Sequence, residues 1–158
     1  MTPTAVEPIR VYADTSVYGG VFDEEFAKPS RAFFDRVREG RFHLIISAIV
    51  LNEISPAPEE VRALLDEVLP LAEVVGISDE ALTLQRAYLD HGIVTPKSAD
   101  DALHVALATT GGCAMIVSWN FRHIVHYQKV PLYNAVNTLY RRAILEIRSP
   151  LEVIEDEA

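Results

Sequence analysis

One cysteine, Cys113, stands among 158 residues, so no internal disulfide can form. No C-x-x-C or Cys–His metal pattern occurs either, and the expected setting is a reducing cytoplasm. No apolar run approaches the roughly 18 residues that a membrane-spanning helix needs, so no membrane partner is expected. The opening MTPTAVEPIR has no basic segment followed by an apolar one. It predicts no secretory signal, and residues 1–8 read as a flexible leader. Positive charge is scarce: Lys and Arg total 14 against 23 Asp and Glu, for a formal net charge of -9. That balance excludes a histone-like binder held by charge alone. It leaves room for an enzyme that meets phosphates through metal ions. The acidity is also local. Residues 51–80 carry eight acids against Arg62 alone, and Glu155, Asp156 and Glu157 crowd the end of an acidic tail read as residues 149–158.

What is present suits one domain, placed at residues 9–148. Ile9–Ala13 is short, apolar and β-prone, and reads as a buried strand. Phe42–Ile46, Leu71–Val75, Ala114–Val117 and Ile144–Ile147 read as further strands. Between them lie helical patterns. Ser30 is placed as the cap of a helix to Glu39, and Ser47 as the cap of Ala48–Ile54, which Pro56 stops. Glu59–Leu69 sets Val61, Leu64, Leu65 and Val68 on one face. Ser78–Leu89, Ser98–Thr110 and Tyr133–Ala143 follow. Strands alternating with helices predict a parallel sheet covered on both faces. Trp119–Leu132 is left as a long irregular stretch, a common home for function.

In open parallel sheets, ligands bind beyond the carboxyl ends of the strands. Asp14 ends the first strand and Asn120 follows the fourth. Glu53 lies on the short helix after the second strand. Asp100 and Asp101 open the helix that leads into the fourth. Each has a plainer reading. Asp14 can cap a turn with Thr15 and Ser16, and Asn120 can be a turn residue. Glu53 can be solvated helix surface. Ser98 and Asp101 fit a capping box. Together the group is more specific. Carboxylates sharing one crevice repel each other unless a cation sits there, and an oxygen-only set suits Mg²⁺ or Mn²⁺. Such sites serve phosphate chemistry.

The segments V-Y-A-D-T-S-V, L-N-E-I, S-A-D-D-A-L-H-V-A-L-A and I-V-S-W-N, in this order and spacing, resemble the PIN-domain family and its VapC-like toxins. The resemblance runs from about Ile9 to Ile147. It implies a three-layer α/β/α sandwich with a five-stranded, mostly parallel sheet in the order 3-2-1-4-5. It implies an Mg²⁺- or Mn²⁺-dependent endoribonuclease leaving 5′-phosphate and 3′-hydroxyl ends. Asp14, Glu53 and Asp101 match the family's metal-site acids. Asp100, Ser16 and Ser118 match auxiliary positions, and His104 is read as a support for Asp101. Asn120 departs from the pattern, where the family often has an aspartate. It is assigned, with Ser16, to placing the attacking water. A related subgroup carries S-W-N-F with a following histidine, as in Ser118, Trp119, Asn120, Phe121 and His123.

The resemblance also implies a homodimer and a cognate antitoxin, as in a type II toxin–antitoxin pair. Two sets of bases are candidates for RNA phosphates: Lys28, Arg31, Arg36, Arg38 and Arg41, and Arg122, Lys129, Arg141 and Arg142. Trp119 and Tyr127 are candidates for stacking on a base. The competing reading is a catalytically weak or inactive PIN-fold protein that binds protein or RNA, and Asn120 supports it. A dehalogenase-like phosphatase needs a second aspartate where Ser16 stands. A response-regulator receiver does not place paired acids at the start of a late helix. His123 and His126 form H-x-x-H, but no third ligand has the spacing of a zinc site.

Overall fold

The computed structural model describes residues 7–154. Its first strand, β1 (Ile9–Ala13), carries Val11, Tyr12 and Ala13 with no exposed surface. A strand hidden on both faces needs apolar residues throughout, and parallel neighbours supply that setting. β2 (Phe42–Ser47) pairs parallel to it on one side. β4 (Met115–Val117) pairs parallel on the other, with Ala13 opposite Val117. β3 (Glu73–Val75) and β5 (Glu146–Arg148) form the edges, so the order is 3-2-1-4-5 and every pairing is parallel. The chain moves outward from β1 to β3, then crosses back to β4. Right-handed crossovers therefore put the helices of the two halves on opposite faces.

Eight α-helices fill those layers among the described residues. α1 (Thr15–Gly20), α2 (Ala27–Arg38), α3 (Ala48–Ile54) and α4 (Glu59–Val68) serve the first half. α5 (Asp79–Asp90), α6 (Ala99–Thr110) and α7 (Lys129–Leu139) serve the second, and α8 (Pro150–Val153) packs back against α2. α4 buries Val61, Leu64, Leu65 and Val68, the face read from sequence. Each such side chain contributes about 1.5–3 kcal/mol. Gly40 ends the turn after α2 at φ 77°, a conformation that costs a side-chain-bearing residue.

Several boundaries differ from the sequence reading. α1 has no sequence signal, since it holds two glycines and no charge. Burial of Val17 and Tyr18 makes it helical. α2 starts at Ala27, with Pro29 in the first turn, where a missing N–H costs nothing. Ser30 is therefore inside the helix and fully buried, and it accepts the Trp119 indole N–H at 2.8 Å rather than capping. α7 likewise starts early, at Lys129, with Pro131 in its first turn. It ends before Arg141, which takes φ 61°. Leu69–Leu71 is a 3₁₀ turn, so β3 starts two residues late. The register of β5 on β4 places only Ile147 of that strand inward. Ser149, assigned by sequence to the acidic tail, is buried and forms a capping box with Glu152 at α8. The leader residues 1–6 and the acidic end, 155–158, lie outside the described residues. No described helix is long and apolar enough to cross a membrane.

Candidate active site

The β1–β4 pairing is the topological switch of the sheet, and its register sets the site. Because Ala13 lies opposite Val117, Asp14 and Ser118 leave the two strands side by side. Ser118 Oγ donates to Asp14 Oδ2 at 2.8 Å, and Ser16 Oγ donates to Oδ1 at 2.5 Å. Both hydroxyls are held from behind by backbone. The Asn120 N–H donates to Ser118 Oγ and the Trp119 N–H to Ser16 Oγ, each at 2.9 Å. Asp14 is thus the hub of two loops, one after β1 and one after β4. It is only 5% exposed, and its side chain does not cap α1. Burial pushes its carboxyl upward, against the nearby His104 and the two serine hydroxyls, which favour the ionised form.

Glu53 leans over the same rim from α3, and is not free surface. His104 Nε2 donates to Glu53 Oε1 at 2.8 Å, and Thr15 Oγ1 donates to the same oxygen at 2.6 Å. Partial burial works to raise this carboxyl, but the two hydrogen bonds outweigh it and hold the group below its ordinary range. His104 therefore hydrogen-bonds Glu53, and it acts on Asp101, the partner read from sequence, through its charge. The helix repeat sets His104 three residues after Asp101, but its ring reaches across to α3 instead. Burial works to lower the His104 pKa, yet the Glu53 hydrogen bond and the charges of Asp14, Glu53 and Asp101 raise it.

Asp101 is half-buried in the first turn of α6. The capping box expected with Ser98 does not form. A 3₁₀ turn, Pro96–Ser98, leads directly into α6, and the Ser98 side chain caps nothing. Asp101 feels the charge of Glu53 from α3. Burial raises its carboxyl, while His123, the Asn120 amide and His104 favour its charged form. Asp100 beside it is exposed.

Asn120 takes the plainer of its two sequence readings, that of a turn residue. Its Oδ1 accepts the backbone N–H groups of Arg122 and His123, at 3.2 and 2.9 Å. That oxygen fixes the turn after β4 and is not offered to water. Ser16 is also committed, between Asp14 and Trp119. Thr15 and Tyr12 were missed as site residues. Neither carries a sequence signal, since one reads as turn chemistry and the other as strand core. His123 was read as half of H-x-x-H and as the histidine after S-W-N-F, with no site role assigned. It lies close enough to Asp101 to favour its charge, and its Nδ1 is buried without a hydrogen-bond partner.

The acids Asp14, Glu53 and Asp101 offer oxygen only, which fits Mg²⁺ or Mn²⁺ in donor type. Among the described residues, no three His, Cys, Asp or Glu side chains form a ready-made cage. Mg²⁺ does not require one, because it binds through one or two carboxylates and fills its shell with water and phosphate oxygens. The raised Asp14 and Asp101 carboxyls are the second sign of fit. They are acids placed where charge is costly and no Lys or Arg hydrogen-bonds to them. The first basic set is largely used elsewhere: Arg38 pairs with Asp35 and Glu67, and Arg36 donates to the Ala32 and Ile154 carbonyls. In the second set, Lys129 donates to the Ile93 carbonyl.

A family model described as PIN domain matches residues 10–122. Solved structures agree in fold. A chain of VapBC2 from Rickettsia felis, bound to a promoter DNA fragment, superposes with TM-score 0.58 at 15% identity, over 89% of this chain and 98% of that one. FitAcB from Neisseria gonorrhoeae gives 0.57 at 16% identity, over 90% and 99%. DNA-bound VapBC from Salmonella typhimurium gives 0.56 at 20% identity, over 90% and 98%. No curated protein matches the sequence.

Proposed function

Since the chain belongs to the PIN-domain family, we propose that it is an Mg²⁺- or Mn²⁺-dependent endoribonuclease, the toxin of a type II toxin–antitoxin pair. The observation that supports this reading is that Glu53, from α3, is felt electrostatically by both Asp14 after β1 and Asp101 on α6. Two of them are raised by burial, and none is used for capping by its side chain. A bound divalent cation supplies Lewis-acid stabilisation of the charge that develops on the phosphoryl oxygens. Asp14 and Asp101 hold it, with Glu53 as the third donor. Ser16 and Ser118 favour the ionised form of Asp14 and fix its orientation. Asn120 shapes the turn after β4 and supports the charge of Asp101. Glu53 Oε2, which receives neither of the donors on Oε1, is the oxygen left for that third-donor role.

The substrate is RNA, the products carry 5′-phosphate and 3′-hydroxyl ends, and the site of action is the cytoplasm. A cognate antitoxin partner is supported by the fold, which the chain shares with VapBC and FitAcB proteins. A homodimer belongs to the same proposal. A second reading, a weak or inactive PIN-fold binding module, draws on Asn120, which brings an amide to the site where a fourth carboxylate oxygen would add charge.

The test is cleavage of single-stranded RNA by the wild-type chain and by Asp14→Ala and Asp101→Ala, with Mn²⁺ or Mg²⁺ and with EDTA. Cleavage that needs the cation and is lost in both variants is expected. Cleavage that survives in both variants overturns the site. No measurable Mn²⁺ or Mg²⁺ affinity in the wild type favours the binding module.

A further inference from the structure

A row of buried polar side chains runs from the site into the core, and the chemistry above does not use it. Ser47 and Tyr12 have no exposed surface, and His104 is 3% exposed. The Tyr12 hydroxyl lies 2.7 Å from Ser47 Oγ and 2.7 Å from His104 Nδ1. His104 Nε2 then reaches Glu53 Oε1. Polar groups joined inside a core must agree in direction, since each hydroxyl has one proton to give.

The direction is set from the Glu53 end. The Glu53 carboxylate accepts, so His104 Nε2 carries a proton. At the other end the Val50 N–H donates to Ser47 Oγ, and the Ser47 proton needs an acceptor of its own. With the ring proton at Nε2 alone, Nδ1 is an acceptor. Tyr12 then donates to Nδ1, and Ser47 donates to Tyr12. Every member is satisfied in this one arrangement. A proton on Nδ1 would turn the Tyr12 hydroxyl onto Ser47, whose own proton would lose its acceptor among these groups.

The far end of the row has a consequence for Glu53. Thr15 and His104 both land on Oε1, so one oxygen takes both donors and Oε2 is left for a ligand. We propose that Tyr12 and His104 are positioning residues: through this one-way hydrogen-bonded row they fix the Glu53 carboxylate so that Oε2 is the oxygen offered to the cation held by Asp14 and Asp101. This deepens the nuclease reading and rests on it for the cation. The row ties β1, α3 and α6 together at one carboxylate, so the rotamer of Glu53 is set by the core and not by solvent. Loss of such supporting partners typically weakens a metal site.

Two substitutions separate the roles. His104→Gln places an amide N–H near the Nε2 position and keeps the donor to Glu53. His104→Asn places one near Nδ1 and loses it. Imidazole ¹⁵N shifts of the metal-free chain should show His104 as the Nε2–H tautomer, moving toward a mixture in Tyr12→Phe. Calorimetric Mn²⁺ affinity should stay within about threefold of wild type in His104→Gln and fall by roughly 10–100-fold in His104→Asn. Tyr12→Phe should weaken Mn²⁺ binding in the wild-type background and add nothing on top of His104→Gln, because the glutamine has no Nδ1 to be served. Melting curves confirm that each variant is folded. An Nδ1–H tautomer, equal weakening in folded His104→Gln and His104→Asn, or no weakening in either overturns the inference. A wild-type chain that takes no Mn²⁺ sinks the nuclease reading instead, and the tautomer alone then decides the row.

Discussion

Asn120 favours the charged form of Asp101 through its side chain. Its oxygen already accepts the N–H groups of Arg122 and His123. Its effect on Asp101 is to favour the charged form, as a donor does and an oxygen would not. The residue that departs from the family's usual aspartate is thus a turn-holder on one side and a donor on the other.

Asn120→Asp keeps the turn-holding oxygen and exchanges the donor for a second acceptor. It should bind Mn²⁺ several-fold more tightly, by roughly 1 kcal/mol, because one more negative charge faces the cation. The metal-free variant should melt lower, since Asp101 then faces a like charge. Calorimetry and melting curves check both. Weaker Mn²⁺ binding in the variant would show that the donor to Asp101 matters more than the charge.

Asp101 carries a sign-specific pH prediction. Burial, opposed by His123 and Asn120, raises its carboxyl in the folded chain. An acid raised on folding contributes stability that is present below its unfolded value and lost as the pH rises through its folded value. Asp101→Asn removes the charge and keeps an oxygen for Asn120. In metal-free protein it should raise Tm by about 2–4 °C near pH 8, and by nothing near pH 3. Mn²⁺ should raise the melting temperature of the wild type and leave the variant where it was. A gain of equal size at both pH values would remove the titration from the explanation.

Ser118 and Ser16 both serve Asp14, but only Ser118 is fully buried. Ser118→Ala strips a donor from a buried carboxylate and leaves the Asn120 N–H unpaired, at a cost of about 1–3 kcal/mol. Ser16→Ala should cost less, because water can reach its place. Urea denaturation ranks the two, and the reverse order would contradict the burial argument.

Gly20 lies under the only tryptophan of the chain. A Cβ there would stand 2.6 Å from Ser30 Oγ and 2.8 Å from Trp119 Nε1, across the hydrogen bond that joins them. Gly20→Ala should cost about 1–3 kcal/mol by overpacking and shift the Trp119 emission to the red. Unchanged emission and stability would mean that α1 moves aside without effect.

Much of this was legible in the chain itself. The apolar runs at Ile9–Ala13 and Phe42–Ile46 and the cap at Ser47 gave elements that the structure repeats almost residue for residue. The strand order read from the family resemblance is the one observed. Asp14, Glu53 and Asp101 could be named as candidates because Asp14 follows a strand, Glu53 lies on the short helix after one and Asp101 opens a helix, and the carboxyl ends of parallel strands share one crevice. Less legible were elements whose local signals mislead. Pro29 and Pro131 sit in first turns, so α2 and α7 start earlier than a proline suggests. Ser98 looks like a cap but is absorbed into a 3₁₀ turn.

The sequence alone settled an acidic α/β chain with no internal disulfide, from composition and from periods of two and 3.6 residues, which are local properties. It offered Asp14, Glu53 and Asp101 as candidate site acids through the positions they share with the family's motifs. Tertiary structure decided which partner each acid has. Ser118 reaches Asp14 across 104 residues of chain, and His104 reaches Glu53 across 51. It decided that Asn120 turns its oxygen inward to its own loop, that His104 hydrogen-bonds Glu53, that Arg36 reaches backbone carbonyls, and that Arg38 pairs with Asp35 and Glu67 at the surface. The physical reason is that a hydrogen bond chooses among all donors within about 3 Å. Strand order and register set that neighbourhood, and no window along the chain contains it.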